Sequence, residues 1–436
     1  MHRLKIKKLG PIEECELTFS RFMTLTGFQA SGKSTVAKAV YYFRTVKDDI
    51  YSILEQRAAR VFQGASSQNT SLSQELLDIL MKKFIRLFGL SNGLAQEMSL
   101  EYCYTPDCCV KIRLTKENSA LNYIQIDLSQ KLLDFLSQQD NALSFTPAGI
   151  PDQQKRKFQS ELQELFDDRD NIVYIPAGRS MLTLLAQQWS YIYTMMDDSQ
   201  RRTLDYCTQK YIERILNIKP EFSDGIDGLI AYYGTKERPE AFKAAMGLMS
   251  EVLRGSYRAD DSGDRIMLEN GKYVKINFAS SGQQEAVWIL NLLFYYLIQG
   301  RPSMFIIEEP ESHLFPQTQK AIVELIALVA NQGHSMLVTT HSPYVLGTLN
   351  NLLYAGLFEG HEKQKQAAGI IPDLLWLDHR DFNAWFVRDG RLEDCMDGEI
   401  HLIQNEKIDE ISDVINQDYD RLFELRYEGE ARNADR

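Results

Sequence analysis

The sequence lacks the long apolar segments that a membrane protein requires. No stretch approaches the roughly 20 apolar residues that cross a bilayer as a helix. The opening residues, MHRLKIKKLG, are basic but are not followed by the apolar core of a secretory signal. We therefore expect a protein without a membrane span, and the expected compartment is the cytoplasm.

Cysteine is also scarce, and its spacing matches no zinc motif. The six cysteines are Cys15, Cys103, Cys108, Cys109, Cys207 and Cys395. A reducing cytoplasm keeps such thiols free, so we expect reduced, mostly structural cysteines. Internal repeats, low-complexity linkers and long heptad runs are absent as well, which excludes a long coiled-coil arm.

Basic charge is in deficit, with a net charge of -12. From Asp389 to the last residue there are 15 acidic and 6 basic side chains, so most of the excess lies there. A uniformly basic nucleic-acid surface is therefore not expected. The clusters Lys82-Lys83-Phe-Ile-Arg86 and Lys155-Arg156-Lys157 are either solvated helix faces or local contacts for DNA.

The acidic C-terminal segment has an amphipathic pattern. Ile408, Ile411, Val414 and Ile415 alternate with acidic residues, which predicts a helix with one apolar face. That face either packs on the rest of the chain or contacts a basic partner protein. Asp418-Tyr-Asp420, the D-x-D beyond it, lies in helix-like sequence and not at a strand tip.

Apolar periodicity predicts an α/β fold. Strands are expected at 4–6, 14–19, 22–26 and 171–175, with an alternating β segment over 99–127. Asn270-Gly271 predicts a tight hairpin between 265–268 and 273–278. Helices are expected over much of 45–95, 129–140, 153–169, 180–217 and 237–254. From residue 282 onward helices and strands alternate, which predicts a parallel sheet.

A phosphate-binding loop stands between the strand at 22–26 and a helix. Its residues fit G-x-x-x-x-G-K-[ST] and are Gly27, Phe28, Gln29, Ala30, Ser31, Gly32, Lys33 and Ser34, with Thr35 following. Backbone N–H groups and the helix N-terminus would cradle the phosphates. Lys33 would reach the β- and γ-phosphates, and the Ser34 hydroxyl would ligate Mg²⁺. The motif predicts ATP and Mg²⁺ as ligands.

Two later strands end in groups suited to phosphate chemistry. The apolar strand from Ser303 ends in Glu308 and Glu309; the first can hold Mg²⁺ and the second can polarise the attacking water. The strand from Met336 ends at His341, where a ring nitrogen can bind the γ-phosphate. Ser280, Ser281, Gly282 and Gln283 precede a helical run, as a helix cap or as an anion site.

The order GFQASGKS, SSGQQE, FIIEEPESHLFP and VTTHSPYVL resembles the ABC-type ATPase heads of the RecF/SMC superfamily. It is most similar to the short-armed ATPases of the overcoming-lysogenisation-defect type, over residues 1 to about 357. The nuclease domain that follows those heads has no counterpart in this sequence. The chain therefore resembles the separate ATPase subunits of Septu- and PARIS-type phage-defence systems.

The resemblance implies a fold and roles for residues. The fold is an ABC-type P-loop head with a mixed or parallel core sheet, an antiparallel β-lobe and a helical insertion. Ser280 to Gln283 form the signature that touches a partner subunit's γ-phosphate. Glu308 is the metal acid, Glu309 the catalytic base and His341 the switch histidine, while Ser312-His313-Leu314 is the D-loop region. Glu308 replaces the usual Asp and Ser281 the usual Gly, so the division of roles between Glu308 and Glu309 stays open.

These features predict four segments: residues 1–44 with the phosphate loop, 45–260 with the β-lobe and helical insertion, 261–360 with the signature, metal acid and switch, and 361–436, the acidic tail. The expected function is an ATPase that oligomerises through its heads and regulates a separately encoded effector in anti-phage defence. The alternatives are a DNA-clamping repair ATPase of the RecF kind, a transporter subunit and a non-hydrolysing scaffold. Arg179, in Pro176-Ala-Gly-Arg-Ser, either lies near the nucleotide or is a surface residue at a helix N-terminus.

Overall fold

A computed structural model gives the fold, and it describes residues 2–424 apart from a few segments. Those segments are 63–69, 91–92, 117–121, 143–149, 235–238, 261–262, 405–415, and residues 187, 189–190, 193–194 and 198–204. Ile408, Ile411, Val414 and Ile415 therefore lie outside the described residues. Among the residues described, no helix is both long enough and apolar enough to cross a membrane.

The strands are β1 (Arg3–Leu9), β2 (Ile12–Thr18), β3 (Phe22–Gly27), β4 (Ser99–Thr105), β5 (Cys108–Lys116), β6 (Asn122–Leu128), β7 (Asn171–Ile175), β8 (Ser256–Asp260), β9 (Gly263–Met267), β10 (Tyr273–Lys275), β11 (Ser303–Glu308), β12 (Ser335–Thr340), β13 (Phe382–Arg388) and β14 (Arg391–Asp394). The helices are α1 (Lys33–Arg44), α2 (Val46–Phe62), α3 (Leu72–Phe88), α4 (Gln130–Ala142), α5 (Asp152–Phe166), α6 (Arg179–Ala186), α7 (Tyr206–Ile218), α8 (Gly225–Tyr233), α9 (Pro239–Leu253), α10 (Ser281–Gln299), α11 (Pro316–Asn331), α12 (Pro343–Gly356) and α13 (Gln364–Ala368). A further helical stretch covers residues 416–424.

The core sheet has the order β14-β13-β3-β12-β11-β7. The strands β13, β3, β12, β11 and β7 are parallel, and β14 is antiparallel at the edge. A parallel sheet is covered on both faces, so its strands read as continuous apolar runs. In β11, Met304 and Ile306 pack with α1 and the β1–β2 hairpin, whereas Phe305 and Ile307 pack with α9 to α12. The predicted mixed α/β fold is confirmed.

A second sheet is fully antiparallel, with the order β2-β1-β4-β5-β6. It joins β1 and β2 from the start of the chain to the alternating segment at 99–128, with Ile6 opposite Leu100. The segments 1–44 and 45–260 therefore build one sheet together. The core sheet likewise contains strands from all four segments of the sequence.

The second strand of the predicted 265–278 hairpin is shorter than expected. Asn270-Gly271 does join paired strands, with Tyr273 opposite Met267. The strand stops at Lys275, and Ile276–Phe278 form a 3₁₀ turn. This turn buries the Ile276 side chain and redirects the chain towards α10.

Three other features differ from the expectations. Reduced cysteines were predicted, but Cys103 and Cys109 form a disulfide. The register of β4 and β5 places these two residues opposite each other. The other cysteines, Cys15, Cys108, Cys207 and Cys395, are free and buried. The strands β13 and β14 lie inside the predicted acidic tail. Lys83, from the first basic cluster, is buried against Asp49 and is not part of a solvated face, whereas Lys82 beside it is exposed.

The turn between β13 and β14 supports the phosphate-loop end of the molecule. Its Gly390 has φ +73°, and its carbonyl accepts the Glu13 N–H at 2.9 Å. A Cβ at this position would lie 2.5 Å from that same nitrogen and 2.7 Å from the Pro11 carbonyl oxygen. The β1–β2 turn and the β13–β14 turn therefore fit together only if residue 390 is glycine.

We predict that Gly390→Ala lowers the melting temperature more than Gly271→Ala. Gly271 is the matched control, because its φ is +75° and a Cβ there would meet no atom within 4 Å. Both variants carry about 1–2 kcal/mol of left-handed strain, and Gly390→Ala adds about 1–3 kcal/mol of overpacking. Thermal unfolding measures the difference, and equal melting temperatures would contradict the contact.

Candidate functional site: a phosphate loop at the carboxyl edge of the sheet

The loop between β3 and α1 is held by two close approaches of its backbone. Gly27 has φ +140°, and a Cβ there would lie 2.5 Å from the Val387 carbonyl oxygen. Gly32 has φ +110°, and a Cβ there would lie 2.5 Å from Ile12 Cδ1. Both glycines are thus required by packing as well as by conformation.

The Lys33 side chain folds back over its own loop and joins the end of the loop to its beginning. Its ammonium donates to the carbonyl oxygens of Gly27 and Phe28, both at 2.8 Å. The first turn of α1 has Gly32 as its N-cap, without a side-chain cap bond, so its N–H groups are available to an anion. Burial lowers the pKa of Lys33, while the nearby carboxylates of Glu309, Glu311 and Glu308 act in the opposite direction.

The acid residues and the histidine reach the same edge because their strands are parallel. Glu308 is the last residue of β11 and pairs with Thr339 of β12. His341 directly follows β12, the strand that separates β11 from β3. The structure therefore brings Lys33, Glu308, Glu309 and His341 together, as the sequence predicted.

Glu309 is held in a constrained backbone conformation. Its φ is +44°, and its N–H donates to the Thr339 carbonyl at 2.9 Å. Its carboxylate accepts the Ser312 hydroxyl at 3.2 Å, and Oε1 lies 3.6 Å from His341 Nδ1. A left-handed φ at a non-glycine residue costs energy that the surrounding structure must balance. The turn aims this carboxylate at the edge of the sheet.

His341 and Glu309 shift each other's pKa. His341 is the main cause that lowers the pKa of Glu309, against the opposing effect of burial. Glu309 is in turn the main cause that raises the pKa of His341 above 6.5, with Glu311 contributing and burial opposing. Near neutral pH Glu309 is therefore ionised, beside a histidine with increased cationic character.

Glu308 and Ser34 offer the hard oxygen donors that Mg²⁺ prefers. Glu308 is buried, and its Oε1 makes no hydrogen bond of regular geometry among the residues described, although the Tyr174 hydroxyl interacts with this carboxylate. An uncompensated buried carboxylate oxygen is costly, and a cation would satisfy it. The described residues contain no group of three or more candidate ligands. The pair therefore fits an ion completed by phosphate oxygens and water.

The segment from Ser280 to Gln283 begins α10 on the surface. Ser280 is the N-cap, and its hydroxyl accepts the Gln283 N–H at 3.3 Å while Gln283 Oε1 accepts the Ser280 N–H at 3.0 Å. A Cβ at Gly282 would lie 2.9 Å from the His313 carbonyl. None of the described hydrogen bonds or ion pairs joins Ser280–Gln283 to the phosphate loop. The helix-cap interpretation is thus confirmed locally, and the role as a signature stays a proposal.

Sequence reasoning missed two polar residues that support the switch. Glu311 is buried, and its Oε1 accepts the Thr340 hydroxyl at 2.7 Å and the His341 N–H at 3.0 Å. Gln319 accepts the Ser342 hydroxyl at 2.6 Å. Glu311 could have been found from the sequence, because it is the third acidic residue of the motif EEPE. No local pattern marks Gln319, because its partner lies on another element.

Arg179 is not the surface residue that one interpretation expected. Its side chain is 0% exposed, and its guanidinium donates to the carbonyl oxygens of Glu308 at 2.6 Å and Glu309 at 2.8 Å. It therefore lies directly behind the acidic pair. The D-x-D at Asp418, by contrast, is on the exposed stretch 416–424, away from any strand tip.

A glycine-rich phosphate loop and acidic strand tips on one parallel sheet define a P-loop nucleotide-binding domain. A model of the family described as the AAA ATPase domain matches residues 1–346. The chain therefore belongs to this family of ATPase domains. Among curated proteins, no relative matches the sequence.

The chain is also similar to solved structures of SMC heads. The SMC head domain from Thermotoga maritima has 14% identity and a TM-score of 0.34, with 79% of this chain and 90% of that chain covered. An Smc head with an extended coiled coil bound to the C-terminal domain of ScpA, derived from Pyrococcus furiosus, has 13% identity and a TM-score of 0.36, with 95% and 100% covered. An SmcHead bound to the C-winged helix domain of ScpA has 12% identity and a TM-score of 0.35, with 90% and 96% covered. These similarities are too low to bear on function.

We predict that Glu309→Gln lowers the pKa of His341 towards its ordinary value, because the main group that raises this pKa is removed. Glu308→Gln is the control and should change the His341 pKa less. NMR titration of the histidine ring protons, assigned with His341→Gln, measures both. A His341 pKa unchanged by Glu309→Gln would contradict the pairing.

The same pair predicts a pH dependence of stability. The raised pKa of His341 contributes stability that is complete below its unfolded value, near 6.5, and is lost as the pH rises through the folded value. The lowered pKa of Glu309 contributes stability above its unfolded value, near 4.5, that is lost as the pH falls through the folded value. The contribution of the Glu309–His341 pair to stability is thus greatest between about pH 4.5 and pH 6.5. Both side chains are partly exposed, which keeps this contribution small.

Proposed function

We propose that this protein binds ATP with Mg²⁺ and hydrolyses it at a site completed by a second copy of the chain. The observation that carries the proposal is the meeting of Lys33, Glu309 and His341 at one edge of the sheet, while no hydrogen bond or ion pair among the described residues joins Ser280–Gln283 to the phosphate loop of its own chain. One chain then supplies two half-sites: the phosphate loop with Glu309 and His341, and the segment Ser280–Gln283. Two chains together would form complete ATP sites.

The roles of the residues follow from their surroundings. Lys33, which holds two loop carbonyls in the free protein, turns to the β- and γ-phosphates. Glu309 accepts a proton from the attacking water, and His341 donates a hydrogen bond to the γ-phosphate. Mg²⁺ held by Ser34 and Glu308 would neutralise developing phosphate charge. Glu311 keeps the His341 backbone in place.

Exposed aromatic side chains support the contact between two copies. They are Phe28 at 56%, Phe278 at 81%, Phe315 at 74% and Tyr344 at 55% exposure. Each lies beside one motif: the phosphate loop, the signature segment, the D-loop region or the switch. Aromatic side chains are enriched at protein interfaces, and this surface fits a second copy whose signature lies over the phosphate loop.

The ATPase cycle would regulate a separately encoded effector protein in anti-phage defence. This part of the proposal rests on the resemblance to the ATPase subunits of two-gene defence systems. The acidic C-terminal segment is the candidate surface for a basic effector. A cytoplasmic location fits that role.

The second candidate is a DNA-clamping repair ATPase of the RecF kind. In the basic clusters of this chain, Lys83 contacts Asp49, Lys155 lies 3.8 Å from Glu55, and Lys157 lies 3.7 Å from Glu161. These pairs reduce the charge available to phosphates, whereas Lys82 and Arg156 are exposed. Strong binding to DNA that weakens steeply with salt would nevertheless favour this function.

We predict that Lys33→Ala weakens ATP binding by about 100-fold or more, because a charge-assisted contact to the phosphates is lost. Glu309→Gln should keep binding within about threefold and lower turnover by about 10²- to 10⁴-fold, because the amide cannot accept the proton. Equilibrium binding of a fluorescent ATP analogue and steady-state phosphate release measure the two effects. Near wild-type turnover in Glu309→Gln, with turnover abolished in Glu308→Gln, would reverse the two roles.

We predict that Ser281→Arg keeps ATP binding but loses most turnover, because it places bulk and charge at the seam between two copies. Mixing Ser281→Arg with Lys33→Ala in equal amounts should restore some turnover, at most about a quarter of the wild-type rate, since half of randomly mixed dimers hold one whole site of two. Ser281→Ala is the control and should retain activity. A rate per chain that is independent of concentration in a strict monomer would contradict the shared site.

A further inference from the structure

Arg179 makes a set of hydrogen bonds that the proposed chemistry does not use directly. It is fully buried at the start of α6, where charged residues rarely lie unless they are paired. Its two terminal nitrogens donate to the carbonyl oxygens of Pro176, Glu308 and Glu309, at 2.6 to 2.8 Å. The guanidinium fork therefore holds the backbone that carries the metal acid and the base.

The other side of this guanidinium is joined to α10. Its Nε donates to the Glu285 carbonyl at 3.2 Å and lies 3.3 Å from Glu285 Oε2. The Glu285 carboxylate accepts the N–H groups of Arg179 and Ser180, both at 2.9 Å. Thr183 adds a hydroxyl bond to the Gln284 carbonyl at 2.9 Å. The start of α6 and the first turns of α10 thus form one hydrogen-bonded block.

In the proposed shared site, the two elements that Arg179 joins serve different nucleotides. Glu309 would act on the ATP of its own chain, whereas the start of α10 would lie over the ATP of the partner. Glu309 has a left-handed φ of +44°, and its carbonyl is one of those that Arg179 holds. Arginine suits this position because its planar fork can bind several carbonyls at fixed angles.

We propose that Arg179 is a positioning residue that couples the signature helix to the catalytic carboxylate of the same chain. Closure of Ser280–Gln283 on one nucleotide moves α10, and Arg179 passes this shift to Glu309 at the other nucleotide. The proposal rests on the proposed shared site. It predicts that hydrolysis at one site is faster when the other site is closed.

Arg179→Lys keeps the charge but loses the fork. We expect it to lower kcat by about 10- to 100-fold, as for the loss of one or two charged hydrogen bonds, with little change in KM. Arg44→Lys is the matched control: Arg44 is also buried and ion-paired, with Asp168 at 3.4 Å and Asp170 at 3.0 Å. Both variants should lose thermal stability, and only Arg179→Lys should lose kcat. Equal kcat in the two variants would overturn the proposal.

Mixed dimers separate coupling from local support. In a Ser281→Arg and Lys33→Ala mixture, the whole site uses Glu309 of the first chain and the signature of the second. The other site lacks Lys33 and cannot close on ATP, so no closure reaches Glu309 of the first chain through Arg179. Arg179→Lys in the Ser281→Arg chain should therefore lower turnover by a smaller factor than in the otherwise wild-type dimer. An equal factor in the two backgrounds overturns the coupling. A mixture that is inactive without Arg179→Lys contradicts the shared site itself, and the coupling fails with it.

A milder variant keeps the test decisive if Arg179→Lys does not fold. Thr183→Val removes only the hydroxyl bond to the Gln284 carbonyl and preserves the shape of the side chain. It should lower kcat by a few-fold in the otherwise wild-type dimer, by a smaller factor in the mixed dimer, and leave ATP binding unchanged. Wild-type kcat in a folded Thr183→Val dimer would overturn the proposal.

Discussion

Parallel pairing of β3, β12 and β11 is the interaction on which the rest of the structure depends. Carboxyl ends of parallel strands lie at one edge of a sheet, so the phosphate loop, His341 and Glu308–Glu309 are neighbours without direct links in sequence. Burial of the apolar side chains in these strands stabilises this arrangement, because successive side chains enter two separate hydrophobic cores. The site is thus a consequence of burying both faces of the sheet.

The phosphate loop also depends on parts of the chain that are remote in sequence. Gly27 approaches the Val387 backbone, Gly32 approaches Ile12, and the Gly390 turn rests on Glu13. The chain from β13 onward is therefore structural support for the loop, although it follows every recognised motif. Because Val387 and Ile12 contact the loop from two sides, its backbone N–H groups have a fixed geometry. Preorganised phosphate binding requires such a geometry.

Charge at the site is concentrated and only partly compensated. Glu308, Glu309 and Glu311 come from one short segment, and they are opposed by Lys33 at the start of α1 and by His341 just after β12. Glu311 is satisfied by the switch backbone, and Glu309 is paired with His341. Glu308 retains a buried oxygen without a regular hydrogen bond among the described residues. In the proposed function this imbalance gives the three carboxylates different roles: Glu311 supports His341, Glu309 accepts a proton, and Glu308 binds the cation.

The sequence alone determined the phosphate loop, the acid pair, the switch histidine and the mixed α/β fold. These features are local, because each depends on a residue pattern within one strand and the turn that follows it. Only the tertiary structure decided the Cys103–Cys109 pairing, the support of the switch by Gln319 and the burial of Arg179 behind Glu308 and Glu309. Each of these depends on which elements become neighbours. That choice is made by packing of whole faces, and no short stretch of sequence records it.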